Sequence, residues 1–504
     1  MARADQRAGR LDSGDTARMQ PSSYARLPQH FYARLGPTPV AKPRMIQFNR
    51  ALSAELGLGV DGLDEDSLAA IFSGNQLPVG VEPIAAAYAG HQFGYFVPQL
   101  GDGRAIIIGE ARDQTGTLRD IQLKGSGRTP FSRNGDGRAA LGPVLREYLV
   151  SEAMHALGIP TTRSLAAVLT GEFVIREQRL PGAILTRVAA SHVRVGTFQY
   201  FAARGQEDAV RQLADYVIER HYPEVRSSDR PYLVLLQIVV ARQADLIARW
   251  MHVGFIHGVM NTDNMALSGE TIDYGPCAFM DTFDPAQVFS SIDSFGRYAY
   301  ANQPRIAQWN LARFAETILP LLDAAPERAV ELATEEVSRF TTLYAQQWLS
   351  GVRRKLGFST AEDADRELAQ ALLDLMHAQQ ADFTLTFRRL ADGVSAAQGS
   401  GTARTLFADP SAFDAWCSVW QSRLAREPAL SDRAETMRRA NPVFVPRNHR
   451  IEQVIEAAVA HEDFSPFAEL LAVVTDPYRD QEGHELYAQP PAPSERVLQT
   501  FCGT

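Results

Sequence analysis

Three oxygen-bearing side chains near the middle of the chain could bind a metal ion: Asp263, Asn264 and, further along, Asp273. Carboxylate and amide oxygens are hard ligands, and Mg²⁺ binds such ligands when phosphate oxygens complete its coordination. Upstream, Lys124 ends the strand-like run "IQLK", and its ammonium is a point charge suited to phosphate oxygens. Taken alone, each would be an ordinary turn or strand-end residue. Together these residue types predict a metal-dependent reaction at a phosphate group.

The octapeptide "HGVMNTDN", His257 to Asn264, has the spacing of the catalytic loop of protein kinases and small-molecule phosphotransferases. In that loop the third position is an aspartate that accepts the proton of the substrate hydroxyl. Here the third position is Val259, which cannot accept a proton. Asp263 is the nearest carboxylate, and it is either a displaced general base or a third metal or helix-capping ligand. A displaced base would take its proton from a different place, so the hydroxyl would approach a different phosphate.

A lysine and a glutamate upstream have the placement of a phosphate-binding ion pair. Alternation along "IQLK" puts Lys124 on the face opposite the two apolar residues of the run. Glu147 lies on a predicted helix, Val144–Leu157, with a proline just before it and a glycine just after it. In kinase-like sites a helical carboxylate holds the strand lysine in place. Considered singly, both would be solvated surface residues, but the order strand, glycine loop, helix favours the pair.

Two glycine-rich stretches could bring the backbone close to phosphates. The first, "GDGR", contains Gly101, Gly103 and Arg104 and is predicted to be the turn of a hairpin, although any tight hairpin could carry it. The second, "GSGRTPFSRNGDGRAALGP", contains Asp136 and Gly137 and is predicted to be a flexible loop that faces an anion. It has more arginines than a plain linker needs. They are Arg128, Arg133 and Arg138.

Two further arginines, Arg187 and Arg194, follow in "LTRVAASHVRVGT". Their spacing does not fix a geometry. Either could be an ordinary surface arginine.

The elements that would position these residues change character along the chain. Residues 94–124 are predicted to form three consecutive strands, and a helix and more strand-like runs follow. After about Gly196 the pattern is mostly helical. The sequence therefore predicts an α+β, protein-kinase-like two-lobe fold. Its parts would be a mobile tail at 1–25, a small β-rich N-lobe with the nucleotide-binding loops at 26–187, and a large helical C-lobe with the catalytic loop, metal site and C-terminal tail at 188–504.

The bulk composition narrows the classes of function. Hydrophobic residues make up 45% of the 504 residues, which is ordinary for a globular protein. The net charge of -9 argues against a nucleic-acid partner. Three cysteines are too few for a disulfide framework and favour a reducing cytoplasm. Apolar runs such as "YLVLLQIVVA" look too short to span a bilayer and the start lacks an apolar signal core, so no membrane partner is expected.

Several longer stretches carry a family resemblance that the short motifs cannot. From about Leu27 the chain resembles the selenoprotein O (YdiU) family of kinase-like protein adenylyltransferases, which are nucleotidyltransferases. The stretches are "GHQFGYFVPQLGDGRA", "QLKGSGRTPFSRNGDGRAALGPVLREYLVSEAM", "AILTRVAASHVRVGTFQ", "GFIHGVMNTDNMALSGETIDYGPCAFMD" and "NPVFVPRNHRIEQVIEAA".

The resemblance implies a reaction and a set of roles. ATP would lie flipped relative to a kinase, AMP would pass to Ser, Thr or Tyr hydroxyls of protein substrates, and pyrophosphate would leave. UMP transfer from UTP with Mn²⁺ is a further reaction that the resemblance raises. Asp263 would accept the proton, Asn264 and Asp273 would hold Mg²⁺ or Mn²⁺, and Glu147 would pair with Lys124. The nucleotide contacts would be Gly101, Gly103, Arg104, Lys124, Asp136, Gly137, Arg187, Arg194 and Asp273.

Two cysteines add a regulatory hypothesis. Cys277 lies in the expected activation segment, and Cys502 stands near the chain end, where some relatives carry selenocysteine. We expect a reversible Cys277–Cys502 bridge that pins the tail over the activation segment and tunes activity. The alternative is two inert thiols, which a reducing cytosol favours. Cys417, in "FDAWCSVW", is predicted to lie in the core.

Two other functions stay open on the residues alone. One is an ordinary phosphotransferase with Asp263 as base, against which Val259 argues. The other is a non-catalytic pseudokinase scaffold that binds nucleotide, against which the pair Asn264 and Asp273 argues. Only the resemblance positively selects adenylyl transfer.

Overall fold

The computed structural model describes residues 17–394 and 401–501. Of the predicted mobile tail, residues 1–25, the first 16 residues lie outside the described residues. Residues 17–25 are packed against the rest of the fold. The backbones of Gln20 and Glu110 exchange two hydrogen bonds of 2.9 Å, and Tyr24 is only 3% exposed. The folded chain therefore begins earlier than composition predicted, because a buried ring and backbone pairing fix this segment.

The described strands are numbered in chain order. They are β1 (Tyr32–Arg34), β2 (Arg44–Phe48), β3 (Ile84–Ala86), β4 (Gly90–Gln92), β5 (Tyr95–Val97), β6 (Ala105–Arg112), β7 (Leu118–Lys124), β8 (Ala139–Ala140), β9 (Arg163–Ile175), β10 (Arg179–Ala189), β11 (Phe255–Ile256) and β12 (Ala278–Phe279). One antiparallel sheet has the order β1-β3-β6-β7-β10-β9-β2, and β8 pairs with β10 outside that path.

The described helices come mainly after this sheet. They are α1 (Arg50–Glu55), α2 (Glu65–Phe72), α3 (Leu141–Ala156), α4 (Val195–Ala202), α5 (Glu207–His221), α6 (Pro231–His252), α7 (Gln303–Leu322), α8 (Pro326–Leu356), α9 (Asp365–Ala378), α10 (Phe383–Gly393), α11 (Pro410–Leu424), α12 (Arg433–Ala440), α13 (Asn448–His461) and α14 (Ser465–Val474). An antiparallel sheet followed by many helices confirms the α+β class.

The sheet is covered on both faces, which decides where its polar side chains point. Ile121 and Leu123 of β7 enter an apolar layer that also holds residues of α1 and α2. Helix α3 packs on β9 and β10. Strand alternation therefore places Lys124 on the face away from Ile121 and Leu123, as predicted.

All three strands predicted at residues 94–124 are present, but the first does not form a hairpin with the second. Tyr95–Val97 pairs with Gly90–Gln92 in a separate two-stranded sheet. The large sheet instead pairs β6 with β3 on one side and β7 on the other. The "GDGR" stretch is therefore not a hairpin turn. Its Asp102 is held by the backbone N–H of Ala86, which donates to the carboxylate at 3.0 Å.

Helix α6 is longer than the apolar run "YLVLLQIVVA" that it contains. With 22 residues, it is the one described helix that is long and apolar enough, by length and composition, to cross a membrane. It packs against α7 and α8 and buries side chains such as Leu236, Val240 and Ile247. These contacts are those of a core helix, so its apolar character is explained by packing.

Candidate active site

A cleft of about 840 Å³ brings together residues from the sheet, the glycine-rich loops and the segment 259–276. Its lining carries eight basic and five acidic side chains, although the chain as a whole has a net charge of -9. Such a basic lining in an acidic chain suits an anionic ligand. The predicted site residues in this lining are Gly101, Gly103, Arg104, Lys124, Asp136, Gly137, Glu147, Arg187, Arg194, Asp263, Asn264 and Asp273.

Lys124 and Glu147 form the predicted ion pair, with 2.6 Å between Nζ and Oε2. Strand β7 presents the lysine toward α3, and α3 buries the glutamate to 2% exposure. Arg187 on β10 donates from Nε to the second oxygen of Glu147. Burial alone would raise the pKa of Glu147, but the charges of Arg187 and Lys124 lower it. Glu147 is thus an ionised carboxylate that fixes two cations in the cleft.

Asp273 is surrounded by three cations. Its Oδ1 accepts from Arg187 and, at 3.3 Å, from Lys124, while its Oδ2 accepts from Arg194 at 2.9 Å. Burial would raise the pKa of this carboxyl, but the three cations hold it well below its usual range. The backbone φ of 65° lies in the left-handed region, which aspartate tolerates better than most residues. The carboxylate is therefore ionised and held in one place.

The loop predicted from "HGVMNTDN" is ordered by its own polar groups. His257 is buried, and its Nε2 lies 2.9 Å from the carbonyl of Ile272, which ties the loop to the segment before Asp273. Val259 lines the cleft, and its carbonyl accepts a hydrogen bond of 2.9 Å from Nδ2 of Asn264. This bond orients the amide of Asn264 and leaves its Oδ1 for a different contact. Val259 itself supplies no acid or base.

Asp263 is buried in the short 3-10 turn Thr262–Asn264. Its Oδ2 accepts from Gln92 Nε2 at 3.1 Å, and its backbone carbonyl accepts from Arg194 at 2.8 Å. Its Oδ1 has no hydrogen-bond partner in the described part of the chain. Burial raises the pKa of this carboxyl to about 6. A carboxylate with a raised pKa and an unused oxygen is suited to accept a proton at neutral pH.

Gln92 is a site residue that sequence reasoning missed. Its amide touches the side chain of Asp263, although 171 residues separate the two in sequence. The glycines of "GHQFGYF" signal a tight hairpin, but a glutamine beside it carries no chemical signal. Only the fold, which lays β4 against the loop of Asp263, reveals the contact.

The predicted glycines mark close approaches of the backbone. A Cβ on Gly101, where φ is 107°, would lie 2.5 Å from the ring of Phe131. A Cβ on Gly137, where φ is 71°, would lie 2.2 Å from the carbonyl of Gly127. Side chains at these positions would displace the loops that form the wall of the cleft. Arg104 and Gly103 lie in the same wall.

The loop at 125–143 is tied down more firmly than the predicted flexible loop. The carboxylate of Asp136 accepts from Arg176 at 2.8 and 3.1 Å. Arg138 donates to two backbone carbonyls at 3.1 and 3.2 Å. Arg128 and Arg133 are exposed and line the cleft. Arg176, which the sequence did not mark as a site residue, thus holds Asp136 in the wall of the cleft.

Comparison with known proteins decides among the possible functions. The family model described as "Protein adenylyltransferase SelO" matches residues 17–475. Protein nucleotidyltransferase YdiU of Rhizobium meliloti (strain 1021) is 63% identical over 484 residues, which cover 96% of this chain and 99% of that protein. The protein of the same name from Bradyrhizobium sp. (strain ORS 278) is 62% identical over 487 residues, with 96% and 98% covered.

The chain belongs to the protein adenylyltransferase SelO family. The resemblance found in the sequence is confirmed, and with it the class of enzyme, a nucleotidyltransferase of the adenylyltransferase type. A protein adenylyltransferase takes a nucleotide and a protein as substrates. Enzymes of this kind also use a divalent metal ion.

In this SelO-family chain, Asn264 and Asp273 have the donor atoms for such an ion. No group of three or more His, Cys, Asp or Glu side chains suited to a metal occurs among the described residues. Mg²⁺ is commonly bound by one or two protein oxygens together with substrate phosphates. The oriented amide of Asn264 and the ionised carboxylate of Asp273 therefore fit a cation that arrives with the nucleotide.

The C-terminal tail of this SelO-family chain lies against the segment that follows Asp273. Thr500 donates from Oγ1 to the carbonyl of Pro276 at 2.7 Å, next to the fully buried Cys277. Cys502 lies outside the described residues, so the predicted bridge stays a prediction. Cys417 is buried in α11, which confirms its placement in the core.

Proposed function

We propose that this chain transfers AMP from ATP to a Ser, Thr or Tyr hydroxyl of another protein and releases pyrophosphate. One observation carries the proposal: the kinase position of the base is occupied by Val259, and Asp263 supplies a buried carboxylate with a pKa of about 6. Because this base lies further along the loop than the kinase base, it would take the proton from a hydroxyl at a different position. That position suits attack on the α-phosphate rather than on the γ-phosphate. Membership of the SelO family independently supports AMP transfer.

The proposed layout is kinase-like and has two lobes. Residues 26–187 would form the N-lobe around the large sheet, and residues 188–504 would form the helical C-lobe. The position of the cleft supports this layout, because its lining draws on β7 and α3 before residue 187 and on the loop of Asp263 after it.

The arrangement of cations supports a flipped nucleotide. Arg187 and Arg194 are each 2% exposed, so dense positive charge lies deep in the cleft. Glu147 and Asp273 pair with these two arginines and with Lys124, so three positive charges face two negative ones and the cluster still favours an anionic ligand. We place the β- and γ-phosphates there, beside Lys124, and the α-phosphate on the side of Asp263. Fixed cations would then stabilise the charge that develops as pyrophosphate leaves.

Asp263 performs the proposed proton transfer. Its carboxylate accepts the proton of the acceptor hydroxyl while the hydroxyl oxygen forms a bond to the α-phosphorus. The bond from the α-phosphorus to the bridging oxygen breaks, and pyrophosphate takes the electron pair. Mg²⁺ or Mn²⁺, held by Asn264 and Asp273, would neutralise phosphate charge when bound. Because Arg194 and Gln92 contact Asp263, the base is oriented before the substrate arrives.

We place the reaction in the cytoplasm. Cys277 and Cys417 are both buried, and three cysteines in 504 residues give no disulfide framework. ATP is also a cytoplasmic substrate.

Mass spectrometry of acceptor proteins tests the proposal. The chain is incubated with ATP, Mg²⁺ or Mn²⁺, a reducing agent and a bacterial lysate, and modified peptides are sequenced. We expect peptides that carry AMP on Ser, Thr or Tyr. Peptides that gain phosphate alone, in amounts that depend on this chain, would contradict the proposal.

Replacing Lys124 with alanine is expected to weaken ATP binding by about 10-fold or more, because a hydrogen bond between charged groups in a partly buried site contributes about 1.5–3 kcal/mol. Glu147 and Asp273 keep Arg187 as a partner, so folding should persist. Isothermal titration with ATP measures the change. The control is Lys42→Ala, an exposed lysine outside the cleft. Unchanged ATP affinity in Lys124→Ala would refute its phosphate role.

Oxidation is expected to link Cys277 to Cys502. The contact between Thr500 and Pro276 brings the tail to the segment that holds Cys277. Mass spectrometry of peptides from the oxidised protein would find the cross-linked pair, and Cys417→Ser serves as the control. Reduced thiols at both positions under oxidising conditions would contradict the bridge.

A further inference from the structure

The hairpin of β4 and β5, Gly90–Val97, is attached to the loop of Asp263 residue by residue. Three successive hairpin residues each contact a residue of the loop, and two of the contacts use the hairpin backbone. The hydrogen bonds are His91 N to Thr262 Oγ1 (2.7 Å), Gln92 Nε2 to Asp263 Oδ2 (3.1 Å) and Phe93 N to Asn261 Oδ1 (3.1 Å).

A second set of contacts fixes the same junction. Gln199 accepts from Thr262 Oγ1 at 2.6 Å and is hydrogen-bonded to His91 Nδ1 at 2.8 Å. A Cβ added to Gly90 would lie 2.5 Å from Oδ1 of Asp263, so only glycine leaves room for that oxygen. The hairpin therefore holds Oδ2 of the carboxylate through Gln92 and borders the unused Oδ1.

Strand pairing shows which hairpin side chain shares a face with Gln92, the residue that contacts the carboxylate. Gln92 is paired with Tyr95, and directly opposite residues of an antiparallel pair share one face. Tyr95 therefore projects from the same face as Gln92, and it is 80% exposed. His91 and Phe96 are paired on the other face, where their rings lie 5.0 Å apart and His91 contacts Trp309 at 5.2 Å.

We propose that the hairpin Gly90–Val97 binds the acceptor segment of the protein substrate, with Tyr95 contacting that segment and Gln92 acting as a positioning residue for Asp263. This inference rests on the proposed function. It names the surface on which an acceptor with an apolar or aromatic residue near its hydroxyl would lie.

The chemistry of the hairpin favours a peptide over the nucleotide. The stretch "GHQFGYFV" contains no lysine, arginine or carboxylate. Burial lowers the pKa of its one histidine, His91, so that side chain is neutral at neutral pH and offers phosphates no charge. An exposed tyrosine ring provides a large contact area at low entropic cost, which is why tyrosine is enriched at protein interfaces.

Acceptor kinetics of Tyr95→Ser test the contact. The probes are synthetic peptides with a single Ser, Thr or Tyr, flanked by Leu or Phe in one set and by Gly in the other, with α-labelled ATP. We expect KM for the apolar set to rise about 10-fold, while kcat and ATP affinity stay unchanged. Val419→Ser, an exposed apolar residue on α11, is the matched control. Equal KM values for Tyr95→Ser and wild type would overturn the inference.

Two substitutions of Gln92 test its positioning role. Gln92→Ala removes the side chain, and Gln92→Met keeps its length but cannot donate a hydrogen bond. We expect kcat to fall roughly 10- to 100-fold in both, because small misplacement of a catalytic group is costly, with ATP affinity unchanged. Near-wild-type kcat in Gln92→Met would show that only shape matters and would overturn this role.

Experiments with the wild-type chain distinguish a failure of this inference from a failure of the proposed function. If the wild-type chain transfers no α-label to itself or to any peptide, the proposed function fails. If it labels itself but no peptide, transfer stands and the surface for a single acceptor segment is refuted.

Discussion

Replacing Asp263 with asparagine is expected to lower kcat for AMP transfer by about 10² to 10⁴, the usual contribution of a positioned general base. Asparagine keeps the shape of the side chain and can still meet Gln92, but it cannot accept the hydroxyl proton. ATP affinity should be unchanged, since the cations that would hold the phosphates lie on other residues. Single-turnover transfer of labelled AMP at saturating ATP gives the rate constant of the transfer step, and steady-state transfer gives kcat.

A surface carboxylate provides the control for this variant. Asp66→Asn on α2 changes the same chemical group at an exposed position and should behave as wild type. Wild-type turnover in Asp263→Asn would rule out the carboxylate as base and revive its alternative role as a capping or metal ligand.

Replacing Asp273 with asparagine is expected to abolish transfer and also to destabilise the protein. Lys124, Arg187 and Arg194 all contact this carboxylate. Without it Arg194 loses its only carboxylate partner among the described residues, and breaking a buried ion pair costs about 3–5 kcal/mol. Because the side chain of Asp273 is 22% exposed, we expect the low end of this range, a decrease of about 3 kcal/mol in the free energy of unfolding. Urea unfolding and a transfer assay measure the two effects.

An ion pair at the cleft entrance is the matched control for stability. Asp136 also pairs with an arginine, Arg176, but its side chain is 42% exposed. Exposed pairs contribute about 0–1 kcal/mol, so Asp136→Asn should change stability little. Equal stability losses in the two variants, or transfer by Asp273→Asn at the wild-type rate, would contradict the account of Asp273.

Local patterns made much of the site predictable. The alternation of "IQLK" fixed the face of Lys124, and the proline and glycine around α3 set its bounds to within a few residues, Leu141–Ala156 against the predicted Val144–Leu157. Because the strand and the helix lie close together in the chain, the Lys124–Glu147 pair followed from their order. Residues 257–273 are also close together in the chain, so their spacing predicted that Asp263, Asn264 and Asp273 would lie in one site.

The other features of the fold and site depend on contacts between residues far apart in sequence, which the sequence alone does not show. The sequence could not show that Tyr95–Val97 pairs with β4 rather than with β6, because both pairings satisfy the same apolar pattern. It left Arg187 as a possible surface residue, whereas the register of β10 on β7 turns it into the cleft. The contact between Gln92 and Asp263 depends on the packing of a separate hairpin, which no short motif encodes.

The most direct test of AMP transfer uses two ATP samples, one labelled at the α-phosphate and one at the γ-phosphate. Each is incubated with the wild-type chain, Mg²⁺ or Mn²⁺ and a reducing agent, and protein-bound label is read on a gel. We expect label from the α-position alone, because in the proposed reaction Asp263 replaces the base that Val259 cannot supply. Label from the γ-position alone would contradict it and identify a phosphotransferase with a displaced base.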